Sequence, residues 1–254
     1  MKIIKKFSGY SGSSVLLFEE NNCFYVQKKT KISNEIYKIY KILAKDLDIA
    51  KIINIKSNAI NMEYINGIEI RQFLNSYNEK KILNLSKYIN SYFKIIKKNS
   101  FKYDFSNEII NKIKSIGRVI NKSKLIFDLE DLFIRMPKIL SKSYIHGDFT
   151  FDNMINVNNK FFLIDISPTN LNALEFDYNK LMQDLKSLWF VRNSYNKLDY
   201  QIICQKIFEN IDKETNRMYN RYLNIFMLLR ILPYAKNNNK DQNFLYNEIN
   251  KLWK

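Results

Sequence analysis

The 254-residue sequence predicts an α+β chain of two lobes, a five-stranded antiparallel half with one helix over residues 1–66 and a mainly helical half over residues 67–254. Three observations predict it. Short runs rich in Ile, Val, Phe and Tyr crowd the first third. Longer amphipathic patterns fill the rest. The change between them falls near Asn66-Gly67, with no Pro/Gly/Ser linker and no internal repeat. Strands in a block followed by helices in a block is the order of an α+β chain.

The expected strands are Lys2–Phe7, Val15–Glu19, Phe24–Lys28, Lys51–Lys56 and Ala59–Tyr64, each bounded by turn residues. Glu20-Asn21-Asn22 and Ser57-Asn58 suit hairpin turns. Between the third and fourth strands, Ile36, Tyr40, Leu43, Ala44 and Leu47 recur at helical spacing behind Ser33, a residue type favoured at helix N-caps. Helical patterns follow over Glu79–Lys98, Ser106–Asn121, Asp128–Leu140, Glu175–Val191, Asp199–Ile211, Lys213–Leu232 and Asp241–Trp253. One β-like pair interrupts them: Met154–Val157, a turn at Asn158-Asn159, and Lys160–Asp165.

Composition narrows the function classes. Hydrophobic residues make up 46% and charged residues 26%, which supports a packed core and argues against disorder. Lys and Arg number 41 against 25 Asp and Glu, a net charge of +16 that favours anionic ligands. The lysines are scattered rather than striped, so no specific nucleic-acid surface is expected. Cys23 and Cys204 are far apart and form no metal-binding spacing, which suits a reducing cytoplasm. The basic start Met1–Lys6 runs into polar Ser8–Ser14 where a leader needs about 7–15 apolar residues. No apolar run reaches the roughly 18 residues of a membrane span, so neither export nor membrane insertion is expected.

The informative stretch is Tyr144-Ile145-His146-Gly147-Asp148-Phe149-Thr150-Phe151-Asp152-Asn153, followed by Phe161-Phe162-Leu163-Ile164-Asp165; His146 is the only histidine. Phosphoryl transfer needs a carboxylate facing the acceptor hydroxyl and oxygen ligands for a phosphate-bound Mg²⁺. His-x-Asp-x4-Asn supplies both, with Asp148 toward the hydroxyl and Asn153 toward the metal. If Met154–Val157 pairs with Phe161–Ile164, Asp165 returns to the same end as Asn153.

Ile145–Asn153 with Leu163–Asp165 resembles the aminoglycoside phosphotransferase and choline kinase superfamily of small-molecule kinases, which share the protein-kinase-like fold. His-Gly-Asp in place of His-Arg-Asp is similar to that branch, and Glu175–Leu181 looks like its Asp-Tyr/Phe-x-x-Leu helix start. The overall character resembles small bacterial kinases encoded with capsule or surface-carbohydrate genes. The resemblance implies His146 and Asp148 as catalytic residues, Asn153 and Asp165 as Mg²⁺ ligands, and Asp177 as a brace for the loop backbone.

It also implies ATP, or alternatively GTP, at the strand-rich end. Gly9, Ser11, Gly12 and Ser13 fall where the family has a phosphate-contacting turn, Lys28 where it has the phosphate-pairing lysine, and Glu35 where that lysine has its partner. Glu35 follows Lys28 by only seven positions, a closer spacing than is usual. Met62–Gly67 reads as the connector between lobes, in which Glu63 and Ile65 would offer backbone groups to a purine. The run Asp165-Ile166-Ser167-Pro168 lacks the Gly of Asp-Phe-Gly, which argues against a regulated activation loop. The expected partner is a small-molecule hydroxyl acceptor, a neutral or anionic carbohydrate, because a polycationic aminoglycoside would meet a like-charged protein. Two alternatives stay open: transfer of AMP by the same acids and metal, and a basic nucleic-acid-binding or scaffold protein. The oligomeric state is not encoded in any recognised feature.

Overall fold

The computed structural model describes residues 2–8, 14–195 and 197–254. β1 (Lys2–Ser8), β2 (Ser14–Glu20), β3 (Cys23–Lys29), α1 (Ser33–Leu43), β4 (Ile52–Lys56) and β5 (Ala59–Glu63) build the first half. The strands form one antiparallel sheet in the order β1-β2-β3-β5-β4. Asn21 and Asn22 join β2 to β3 with φ of 51° and 59°, a left-handed pair whose twist matches flanking antiparallel strands and which Asn tolerates better than most residues. The outer strand β1 carries exposed Lys2, Lys5 and Lys6, charges that discourage edge-to-edge association.

Ser33 does not cap α1. Ile32 precedes the helix with no side-chain hydrogen bond, and Ser33 is its first residue, buried with Oγ 3.5 Å from the Ser57 carbonyl. That carbonyl competes for the hydroxyl. The helix also stops at Leu43, and Leu47 is buried beyond it in the following turn.

The second half runs β6 (Ile68–Glu69), α2 (Ile70–Phe73), α3 (Glu79–Lys97), β7 (Phe101–Asp104), α4 (Ser106–Gly117), α5 (Leu129–Arg135), β8 (Ile139–Lys142), β9 (Met154–Val157), β10 (Lys160–Leu163), α6 (Leu174–Leu185), α7 (Lys197–Glu209), α8 (Lys213–Asn216), α9 (Arg221–Leu229) and α10 (Asn239–Trp253). Asn78 caps α3 by accepting from Lys81 N–H at 3.0 Å, and Ile82, Leu85, Ile89, Tyr92, Phe93 and Ile96 bury one of its faces.

Three sequence expectations change here. The helix expected over Asp128–Leu140 ends at Arg135, because Met136 precedes Pro137 and is held extended (ψ 142°); Ile139–Lys142 then pairs with β7. The single helix expected over Lys213–Leu232 is two, since Asn220 accepts from Tyr222 and Leu223 N–H and starts α9 afresh. The pattern over Glu175–Val191 breaks after Leu185, and Leu188 is left-handed at φ 55°.

β10, β9 and β6 form the small sheet that carries the motif hairpin, which turns at Asn158 and Asn159 with φ of 51° and 66°. A Cβ at Gly67 would lie 2.5 Å from the Asn156 carbonyl, so only glycine lets the connector pass this close to β9. The end of β10 is tied to the first half by Leu163 N–H to Asp48 O (2.9 Å) and Ala50 N–H to Leu163 O (3.0 Å). One apolar cluster runs from Ile36, Leu43 and Ile60 through Phe73, Ile89 and Leu163 to Leu181. A second, around Phe105, Phe176 and Phe226, fills the far end of the helical half. No helix among the described residues is long and apolar enough to cross a membrane.

Candidate active site

The loop 146–153 is held from beneath by two helices. Phe149 and Phe151 are buried, and Phe149 stacks on Tyr92 of α3 with ring centroids 3.9 Å apart. Gly147 has φ 85°, and a Cβ there would lie 1.9 Å from the Ser167 carbonyl, so the turn requires glycine. His146 is fully buried. Its Nε2 faces the Ile164 carbonyl at 2.7 Å, so that nitrogen carries the proton, and Nδ1 faces Asp148 N–H at 3.3 Å. With both ring nitrogens engaged on backbone, His146 positions the loop.

α6 meets the loop through one polar stripe. Asp177 accepts Gly147 N–H at 3.0 and 3.2 Å, Lys180 Nζ lies 3.0 Å from Asp148 Oδ1, and Asp184 accepts Phe151 N–H at 2.7 Å. These positions are spaced i, i+3 and i+7, the residues that share one helix face. The Tyr92 hydroxyl accepts His146 N–H at 2.8 Å and donates to Asp177. Burial raises the carboxyl of Asp177, and raises that of Asp184 far above the usual range. Asp148 behaves oppositely: burial would raise it, but the Lys180 ammonium, helped by Arg230, more than offsets this and holds it below the usual carboxylate range.

Asn153 donates from Nδ2 to the Asp148 carbonyl (2.8 Å) and to Asp148 Oδ2 (3.0 Å). Those acceptors fix the amide and leave Oδ1 uncommitted. Ile164 N–H bonds the Asn153 carbonyl at 3.0 Å, which sets the chain approaching Asp165 beside the loop. Asp165 is left-handed at φ 61°, a conformation aspartate tolerates, and its 44% exposed carboxylate meets Lys28 Nζ. The oxygens of Asn153 and Asp165 fit a hard divalent cation shared with phosphates, since Mg²⁺ takes one or two protein ligands and fills the rest with water and substrate. No group of three or more His, Cys, Asp or Glu among the described residues could hold a metal by itself.

Between the two halves lies a cleft lined by Lys28, Tyr40, Ala50, Met62, Asp165 and Ile166, with further isoleucines from the sheet and α1. Glu63 is half-buried; it binds back onto Lys51, just before β4, with its N–H to Lys51 O (2.8 Å) and its Oε1 accepting Lys51 N–H (2.7 Å). Ile65, half-buried beyond the sheet, makes no backbone hydrogen bond to another described residue. Glu35 is exposed on the first turn of α1, and Lys28 pairs with Asp165 instead. Gly9, Ser11, Gly12 and Ser13 lie outside the described residues.

Sequence reasoning misses Tyr92, Lys180 and Asp184. Positions 177, 180 and 184 do carry a signal, a polar stripe within a helix whose other residues are mostly buried and apolar. Tyr92 sits in an ordinary apolar pattern and carries none.

No protein-family model and no curated protein sequence matches the chain. Solved structures do. A thermostable mutant of aminoglycoside phosphotransferase APH(4)-Ia in its apo form aligns with TM-score 0.69 at 12% identity, over 99% of this chain and 94% of that one. ADP-bound aminoglycoside phosphotransferase APH(2'')-Ib aligns with TM-score 0.59 at 17% identity, over 99% and 93%. A ternary complex of a thermostable APH(4)-Ia mutant with ADP and hygromycin B aligns with TM-score 0.67 at 12% identity, over 99% and 92%. The chain therefore has the kinase-like α+β fold of these phosphotransferases over essentially its whole length.

Proposed function

We propose that this chain is a Mg²⁺-dependent small-molecule kinase that transfers the γ-phosphoryl group of ATP to a hydroxyl of a sugar or sugar derivative. Residues 1–66 would hold the nucleotide and residues 67–254 the catalytic loop and acceptor. The two widely separated free cysteines suit a reducing cytoplasm. One arrangement supports this most: Asn153 bonds the Asp148 carboxylate, its carbonyl takes Ile164 N–H, and the next residue, Asp165, lines the cleft together with Lys28. Solved structures of the same fold with ADP bound add support for ATP as donor.

Asn153, through Oδ1, and Asp165 would hold Mg²⁺, which when bound neutralises charge on the phosphates. Lys28 moves from Asp165 to the phosphate oxygens as nucleotide enters. Asp148 faces the acceptor hydroxyl and, held ionised by Lys180, takes its proton. The hydroxyl oxygen bonds to the γ-phosphorus as the bond to the β–γ bridging oxygen breaks, and ADP leaves. Lys180 keeps the Asp148 carboxylate from turning away, while the backbone anchors of α6 fix the loop so that little reorganisation accompanies the reaction.

Incubation with ATP, Mg²⁺ and a panel of sugars, amino sugars and amino alcohols, read by product mass, tests this. A gain of one phosphate is expected. A gain of AMP would replace the reading with nucleotidyl transfer, and a chain that neither binds Mg-ATP nor modifies any acceptor would contradict it.

A further inference from the structure

A second cavity, of about 400 Å³, lies in the helical half. It shares no lining residue with the cleft that holds Lys28 and Asp165, and neither Asp148, Asn153 nor Lys180 borders it. Its floor is apolar: Leu140 of β8, Leu174 of α6 and Leu223 of α9 are all buried, and Pro137 and the exposed Ile139 add to it.

Its rim is charged. Lys97 ends α3, Lys102 lies on β7 and Arg217 follows α8, so segments distant in sequence bring three cations to one hollow. Two acids share the rim, and both are taken. Glu214 pairs with Lys97. Glu175 accepts Ser141 N–H and the Ser141 hydroxyl, each at 2.9 Å, and has Lys102 Nζ 3.9 Å away. Lys102 is itself held, donating to Ser141 Oγ at 3.2 Å. Arg217 carries the surplus charge. Among the described residues its guanidinium forms no hydrogen bond or ion pair.

Such a lining has a chemical preference. Small-molecule sites run roughly 300–1,000 Å³, with walls mostly apolar and a few placed polar groups. A basic composition by itself scatters lysines over open surface. It does not fix an ammonium on a serine hydroxyl above buried leucines, with an unpaired guanidinium on the same rim. A cationic ligand would meet three positive charges while both acids are engaged, and a neutral one would leave Arg217 unmatched. An oxyanion suits the forked guanidinium donors, and an apolar body attached to it would cover the leucines.

We propose that this cavity is a second ligand site, separate from the catalytic cleft, for a small amphipathic anion. Arg217 and Lys102 bind its phosphate or carboxylate head, and Leu140, Leu174 and Leu223 take its apolar body. The site stands apart from the kinase reading, since no group placed in phosphoryl transfer lines it.

Phenyl phosphate and benzoate probe the two heads, with phenol as the uncharged control and inorganic phosphate as the control without a body. Binding is followed by methyl NMR of the full chain with labelled methionines, because Met218 lines this cavity and Met62 lines the catalytic cleft. Phenyl phosphate, benzoate or both should move the Met218 signal, with affinity about tenfold or more above phenol and inorganic phosphate. The tighter of the two identifies the head. Arg217→Met should weaken that binding about tenfold, Arg217→Glu should abolish it, and Arg217→Lys should recover part of it. Arg217 is exposed and outside the catalytic machinery, so these variants should melt like wild type and keep its Mg-ATP affinity. Lys102→Met, equally exposed, provides the same test from the other side of the head should an Arg217 variant melt early. An unmoved Met218, or a shift at Met62 alone, overturns the inference. So does phenol or inorganic phosphate binding as tightly as the amphipathic anions, or affinity unchanged in the folded Arg217→Glu or Lys102→Met chain.

Discussion

Among the described residues, the cleft offers on its nucleotide side one ion pair between side chains, Lys28 with the half-exposed Asp165, under an apolar wall of sheet and α1 residues. On its acceptor side, Tyr92, Asp177, Lys180 and Asp184 reach the loop at four successive points, His146 N–H, Gly147 N–H, the Asp148 carboxylate and Phe151 N–H. Three of those four side chains are essentially buried. The first wall can adjust when a nucleotide arrives, because the Lys28–Asp165 link exchanges ammonium–carboxylate for ammonium–phosphate. The second has little slack, because Tyr92, Asp177 and Asp184 each accept a loop N–H from a buried position, and releasing any of them leaves a buried donor unpaired. Rigidity is thus concentrated where a proton and a phosphoryl group have to be placed.

The largest effect expected from this contrast is on stability. Asp177→Ala leaves Gly147 N–H and the Tyr92 hydroxyl without their acceptor in a buried network and should cost about 3–5 kcal/mol in urea unfolding. Lys28→Met, at the other wall, should change stability by less than about 1 kcal/mol, its partner being open to water. If the two substitutions destabilise equally, the contrast fails. The second effect is on binding: Lys28→Met should weaken Mg-ATP affinity about ten- to a hundredfold, the loss of one charge-assisted contact.

The smallest effect sharpens the role of Lys180 and is read from pH. Asp148 is held below the usual aspartate range, so its ionised form, and the stability tied to it, is present above the unfolded-state value and is lost only as pH falls through the lower folded value. The acid limb of kcat/KM should therefore lie below the ordinary carboxylate range. Lys180→Met removes the main opposing charge, leaves burial to act, and should move that limb upward. An unmoved limb would detach Lys180 from Asp148.

Much of this was legible in the sequence because it rests on local chemistry. The Asn pairs at 21–22 and 158–159 announce turns, short runs rich in Ile, Val, Phe and Tyr announce the strands, and His146, Asp148, Asn153 and Asp165 lie in two short segments joined by a hairpin. Other features depend on distant partners. Ser33 looks like a cap until Ser57 supplies a competing carbonyl, and Tyr92 looks like core until the loop folds over its hydroxyl. Pro137 was a local signal that should have ended the helix before Leu140. Lys180 could not be told from the other basic residues, because only packing buries it against Asp148.

Central to the account is one carboxylate that handles the proton while its neighbours handle the nucleotide. The most direct measurement is single-turnover phosphoryl transfer by Asp148→Asn alongside its Mg-ATP affinity. Transfer should fall by about 10²–10⁴-fold, the usual contribution of a positioned general base, with affinity within about twofold of wild type. Transfer at the wild-type rate would contradict it.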